Sequence, residues 1–258
     1  GYLVITKRLP SLSSLKNNRV LVLMRLTVFG LLANYILYMM GLALTSPEST
    51  QVMIQIAPML LLIGGVCVFK ESFNTKQKVG LLTFILGLVL FFNQRFEQLF
   101  SFQGNYALGL FFIILAAILW AIYALAQKQL LKNFASEEIM ILIYVAGTLV
   151  FLPLSAPSLV FELDTIGWLL LIFCGANTLL AYGAFAEALE HWEASRVSAT
   201  LAITPLLTLI FMQIINYISP GAITNEPLNT TSIVGAVILV IGSGVTALSK
   251  NKTKIVLT

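Results

Sequence analysis

Gln51, Gln55 and Pro58 are spaced i, i+4 and i+7, so on a helix they share one face. Within the uncharged stretch Ser49–Phe69 they stand out as groups that can do chemistry. Two amides can hydrogen-bond a solute, and a proline lacks the N–H that would bond the carbonyl four residues back, leaving that carbonyl free in a kinked helix. Ser198 and Pro205 occupy the equivalent face of a second stretch, with Thr200 and Thr204 beside it. Asn34 and Tyr38 make another i, i+4 pair next to Tyr35, and Asn177 and Tyr182 sit in a matching segment further on. Trp120, Tyr123 and Gln127 form an i, i+3, i+7 stripe. An aromatic and amide lining suits an amphipathic zwitterion or a planar ring, through stacking and hydrogen bonds. The plainer reading is structural: polar side chains in apolar helices tie neighbours together. Tyr and Trp also mark membrane interfaces, the role assigned to Trp168 and Trp192.

The elements that carry these residues follow from composition. Of 258 residues, 59% are hydrophobic and 10% charged, against roughly a quarter charged in an ordinary soluble domain. Uncharged runs cover Leu26–Pro47, Ser49–Phe69, Val79–Gln94, Gln98–Gln127, Ile139–Phe161, Thr165–Ala186, Val197–Asn225 and Pro227–Ser249. A spanning helix needs about 20 apolar residues, so the fold class is all-α, a polytopic membrane helix bundle. Strands of a β-barrel would alternate in polarity, whereas Leu81–Phe92 is apolar on every side. Cys67 and Cys174 lie inside expected spans and His191 is the single histidine, which argues against a disulfide or a metal cluster. Glu187, Glu190, His191 and Glu193 gather at a span end, as a proton relay or as a solvated helix terminus. An intramembrane enzyme would need a nucleophile and base within the spans, and the one aspartate, Asp164, falls in a loop. No cofactor and no nucleic-acid partner are expected. Asn229-Thr230-Thr231 fits a glycosylation sequon in a short loop.

The chain also repeats itself. Pro58 falls on Pro205 and Tyr35 on Tyr182 at an offset of 147, and Gly80 and Gly87 fall on Gly235 and Gly242 after an insertion of eight. The two repeats are placed at 1–97 and 98–258. In the second, spans are expected near 106–127, 139–158, 166–187, 197–218 and 232–249; the first matches only the last three and the end of the second, Pro10 answering Pro157. The expectation is a parent of about ten spans, with about 40 residues, holding the first span and most of the second, ahead of Gly1. An odd number of spans per repeat inverts one half against the other, a design secondary transporters use to hold solute where the halves meet. Thirteen basic residues fall on one set of alternate loops and Arg95 alone on the other. By the positive-inside rule this places the C-terminus in the cytoplasm.

These residues resemble the drug/metabolite transporter superfamily, specifically its EamA-type members, over essentially the whole chain. The resemblance rests on Ala43-Leu44, Ser49, Pro58 and Glu71 in the first half and on Ala188-Leu189, Ala194-Ser195 and Pro205 in the second. Gly109, Ala116-Ala117, Trp120-Ala121, Tyr123 and Lys128 add the opening of the second half. Ile218 stands where an acidic match to Glu71 would be, and the insertion Ser219–Leu228 follows it. The resemblance implies a secondary-active carrier of the inner membrane, monomer or homodimer, moving small metabolites outward by alternating access. It is closer to aromatic and neutral amino-acid exporters than to phosphate-sugar antiporters, since no Lys or Arg lies deep in a span. A drug-efflux or lipid-carrier translocase on the same fold is the alternative.

Overall fold

The computed structural model describes residues 17–70, 73–96, 105–201, 203–219 and 228–248. Glu71, the Gly1–Pro10 stretch, most of the insertion Ser219–Leu228, the tail lysines Lys250, Lys252 and Lys254, and the Ser198 side chain lie outside them.

Among the described residues the regular elements are helical: α1 (Asn18–Leu44), α2 (Pro47–Met53), α3 (Ile56–Phe69), α4 (Thr75–Phe91), α5 (Asn105–Leu130), α6 (Ser136–Phe151), α7 (Thr165–His191), α8 (Ala194–Leu201), α9 (Thr204–Ile218) and α10 (Thr230–Leu248). Short 3-10 turns lie at Asn93–Arg95, Leu152–Leu154 and Pro157–Glu162. Among the described residues, five spans are long and apolar enough to cross a membrane: Asn18–Leu44, Pro47–Phe69, Asn105–Leu130, Ser136–Leu154 and Thr165–His191. Two shorter apolar helices cover Thr204–Ile218 and Thr230–Thr246.

Local chemistry sets the ends. Ser46 caps α2, accepting from the Ser49 N–H at 3.1 Å, with Pro47 at the first turn where its missing N–H costs nothing. Asn74 and Gln77 form a reciprocal capping box on α4, each bond 2.9 Å. The Asp164 carboxylate accepts from the Gly167 N–H at 2.7 Å and starts α7. α3 stops at Lys70, which is left-handed at φ 58° and returns its N–H to the Gly65 carbonyl. α1 and α7 both outrun their uncharged stretches, because a helix end can carry exposed Arg25 or Glu187 into a polar layer while the backbone stays paired.

The chain divides into two compact units, one holding Gly1–Leu32 and Ile122–Trp192, the other Ala33–Ala121 and Glu193–Thr258. In the first, α6 and α7 run antiparallel. The Ser136 hydroxyl and N–H donate to Glu187 and Glu190 at 2.7 and 2.9 Å, so these carboxylates tie the end of α7 to the start of α6. Tyr123 is buried, with ring centroids of Tyr182 and Phe185 at 6.3 and 6.1 Å. Most of α7 is otherwise uncovered.

The second unit contains the centre of the repeat. α4 and α10, the last helices of the two repeats, pack antiparallel through glycine. A Cβ on Gly80 would strike the Gly242 carbonyl and Thr246; one on Gly235 would strike the Gly87 carbonyl and Phe91. Those two sets of contacts interconvert when each residue is exchanged for its repeat equivalent. Gly87 against Leu239 and Gly242 against Phe84 are related in the same way. A pseudo-two-fold axis therefore passes through this pair, and the glycines are there because backbones approach too closely for any side chain. Near one end, Asn93 and Asn229 exchange side-chain bonds of 3.2 and 2.9 Å, and Asn93 also reaches Ser232 at 3.0 Å. The amide of the glycosylation-like triplet is thus engaged between helices. α1 meets α5 by the same small-residue contact at Gly41 and Gly109.

Candidate functional site

The span Pro47–Phe69 is broken at Ile54–Gln55, between α2 and α3, and its repeat equivalent is broken between Leu201 and Thr204. Both breaks lie just upstream of the proline, because the carbonyl that proline cannot bond is four residues back. In the first repeat that carbonyl belongs to Ile54. The Ala57 N–H takes it at 2.8 Å, and the Gln55 N–H bonds Val52 at 3.3 Å, tightening the turn. In the second repeat it belongs to Leu201 and is satisfied differently. The Thr204 hydroxyl donates to it at 2.8 Å, and the Gln55 amide of the other repeat donates at 3.2 Å.

The broken helices therefore meet at their breaks. α2 touches α9 and α8 touches α3, so the leading piece of each lies against the trailing piece of the other. This is the pattern that a pseudo-dyad demands of two equivalent discontinuous helices. Gln55 sits at the crossing, only 2% exposed, with its Oε1 buried and without a hydrogen-bond partner among the described residues. One turn back, the Tyr38 hydroxyl donates to Gln51 Oε1 at 3.4 Å. Further along α2 the hydroxyls pair off: Ser49 with Tyr106 at 2.7 Å and Thr50 with Thr45 at 2.7 Å. The Arg95 guanidinium stands 5.0 Å from the centre of the Tyr106 ring, a cation–π distance.

The sequence-derived candidates fall into three groups. Tyr38 with Gln51, and Gln55 with Thr204, are brought together around the crossing, beside buried Pro58 and Pro205. Asn34 is buried and spends an amide N–H on the Ala116 carbonyl at 2.9 Å, a helix–helix tie between α1 and α5. Tyr35 and Trp120 are half-buried on the same two helices. The remaining group belongs to the other compact unit: Tyr123 packs with Tyr182, and Asn177 is exposed on α7. Gln127, the last member of the Trp120 stripe, is fully buried and its amide reaches Met140 Sδ at 3.6 Å.

Sequence reading missed Glu48. It precedes the uncharged run Ser49–Phe69 at its N-terminal edge, where a carboxylate is ordinarily solvated, yet it is 4% exposed and its Oε2 is buried without a hydrogen-bond partner among the described residues. The available signal was its i, i+3, i+7 spacing with Gln51 and Gln55, which continues their face to the end of the span.

The family described as the EamA-like transporter family matches residues 2–93 and 107–248. The chain is 37% identical over 241 residues to YhbE of Escherichia coli, described as an uncharacterized inner membrane transporter, covering 93% of this chain and 75% of that protein. It is 35% identical over 246 residues to an uncharacterized transporter of Haemophilus influenzae, covering 95% and 79%. A solved crystal structure shares the fold at a TM-score of 0.59 and 15% identity, over 86% of this chain and 76% of its own.

Proposed function

The chain belongs to the EamA-like transporter family, and from that premise we propose a secondary-active carrier that exports small metabolites, foremost amino acids, by alternating access. That it is a multi-pass transporter of the inner membrane follows from the family, the relatives and the apolar spans. The amino-acid reading is supported by one observation above the rest: two equivalent broken helices cross at their breaks with a buried, unpartnered amide oxygen at the crossing. Discontinuous helices at a repeat interface offer backbone and side-chain groups to a small polar solute without exposing them to lipid. Gln51, Gln55 and Thr204 supply hydrogen bonds there and Tyr38 supplies aromatic surface for an amphipathic side chain, with Trp120 on α5 a further aromatic candidate. The distribution of basic residues supports a C-terminus in the cytoplasm, and the carrier works as a monomer or homodimer.

Counterflow tests this. The full-length protein in liposomes preloaded with an unlabelled amino acid accumulates the labelled one, and replacing Gln55 or Trp120 by Ala changes the order of preference among amino acids. Absence of exchange across all twenty, with exchange of lipophilic drugs or lipid-linked solutes instead, transfers the protein to the efflux or lipid-carrier class.

A further inference from the structure

Glu48 lies in the first turn of α2, at the end of the span that the loop charges assign to the outer side. A first-turn carboxylate complements the partial positive charge of a helix start, which accounts for its position but not for its isolation. Its neighbours are already committed: Ser46 to the Ser49 N–H, Ser49 to Tyr106, Thr50 to Thr45, and Gln51 Oε1 to Tyr38. No ion pair to Glu48 forms among the described residues. A carboxylate oxygen withdrawn from water without a partner is strongly disfavoured, and the Arg95 guanidinium on the nearby Tyr106 ring makes no ion pair with it among the described residues, so Oε2 favours a ligand that brings a donor or a cation.

Seven residues on, in the break between α2 and α3, Gln55 Oε1 is another buried acceptor without a hydrogen-bond partner among the described residues. Seven residues at about 1.5 Å each put Gln55, in the break after α2, on the order of 10 Å from Glu48, too far to grip one small group together. Both accept and neither donates, so whatever visits them carries N–H or O–H donors, with positive charge at the Glu48 end. Resting on the transport reading above, we propose that Glu48 is the amine-binding carboxylate of the transport path. The carried solutes then bear a protonated amine, whose three N–H donors match an anionic acceptor, and Gln55 takes a donor further in.

The test uses full-length protein, wild type and the Glu48→Gln and Glu48→Asp variants, each first shown to be monodisperse. Thermal stabilisation and counterflow are measured with the twenty L-amino acids, with phenethylamine, and with the N-acetyl amino acids and 3-phenylpropionate as amine-free counterparts. The expected result is that wild type responds to free amines and not to amine-free partners. Glu48→Gln then loses apparent affinity on the order of 30-fold or more, and Glu48→Asp keeps part of it. Unchanged affinity in Glu48→Gln overturns the proposal. So does loss of gradient-driven uptake with counterflow at wild-type affinity, which makes Glu48 a site for the coupling ion. Exchange of amine-free solutes alone overturns it while leaving the transport reading intact, whereas exchange of no solute by wild type removes both.

Discussion

The two broken helices share a backbone and differ in chemistry. Glu48, Gln51 and Gln55 run along one face of the first; at the equivalent places the second has Ser195, Ser198 and Ala202. Both are interrupted just ahead of a proline, and each lays its leading piece on the trailing piece of the other. Even the freed carbonyls are treated unequally. The one at Ile54 is closed by its own backbone through Ala57, while the one at Leu201 depends on side chains, Thr204 and the opposing Gln55. The crossing is thus alike in backbone and unequal in chemistry: the first repeat brings the buried Glu48 and Gln55 oxygens, and the second brings the Leu201 carbonyl.

The comparison breaks most completely at its frame. Gly87→Leu or Gly242→Leu puts a side chain where even a Cβ would come within 3.0 Å of the facing backbone, and α4 and α10 separate. A loss of at least about 3 kcal/mol is expected for each, read as a fall in unfolding free energy or as loss of monodisperse protein. Similar losses in both sharpen the symmetry; tolerance of one variant shows that the pseudo-dyad contacts are not both structural.

Gln55→Ala makes the first repeat resemble the second, since Ala202 is its counterpart. Losing the bond to Leu201 costs about 0.6 to 1.7 kcal/mol, the range for interhelical bonds in membranes, and counterflow changes its substrate order. Asn93→Ala removes a reciprocal amide pair outside the crossing. A stability loss in the same range but an unaltered substrate order distinguishes a tie from a binding group.

Thr204→Val is smaller, about 0.5 kcal/mol, because Gln55 still serves the Leu201 carbonyl. Combined with Gln55→Ala it leaves that carbonyl without either donor, so the double variant loses more than the two singles together; simple additivity in the cycle separates their roles. Lys70→Gly acts in the opposite direction, a gain of about 1 kcal/mol from relieving a left-handed residue with a side chain. Thermal denaturation measures both.

Much of the scaffold was legible from residue spacing. The run Thr165–Ala186 became α7, the glycine pairs became the α4–α10 contact, and the paired prolines marked both breaks. Less of the site was legible. The amide at position 34 was as good a candidate as the one at 55, yet Asn34 meets a carbonyl across a helix pair and Gln55 Oε1 meets nothing. Spacing assigns a residue to a face and is silent on what covers that face.

What residue order determined by itself is therefore periodic: which stretches are apolar long enough to span, where proline and glycine recur, and that one half repeats the other. These depend on local sterics and on transfer of side chains from water, both properties of a segment alone. Only the tertiary structure decided that Glu48, at the margin of its span, is buried, and that a carbonyl in one repeat is closed by an amide from the other. Burial and hydrogen-bond completion are properties of neighbours distant in the chain, 146 residues apart in the case of Gln55 and Leu201.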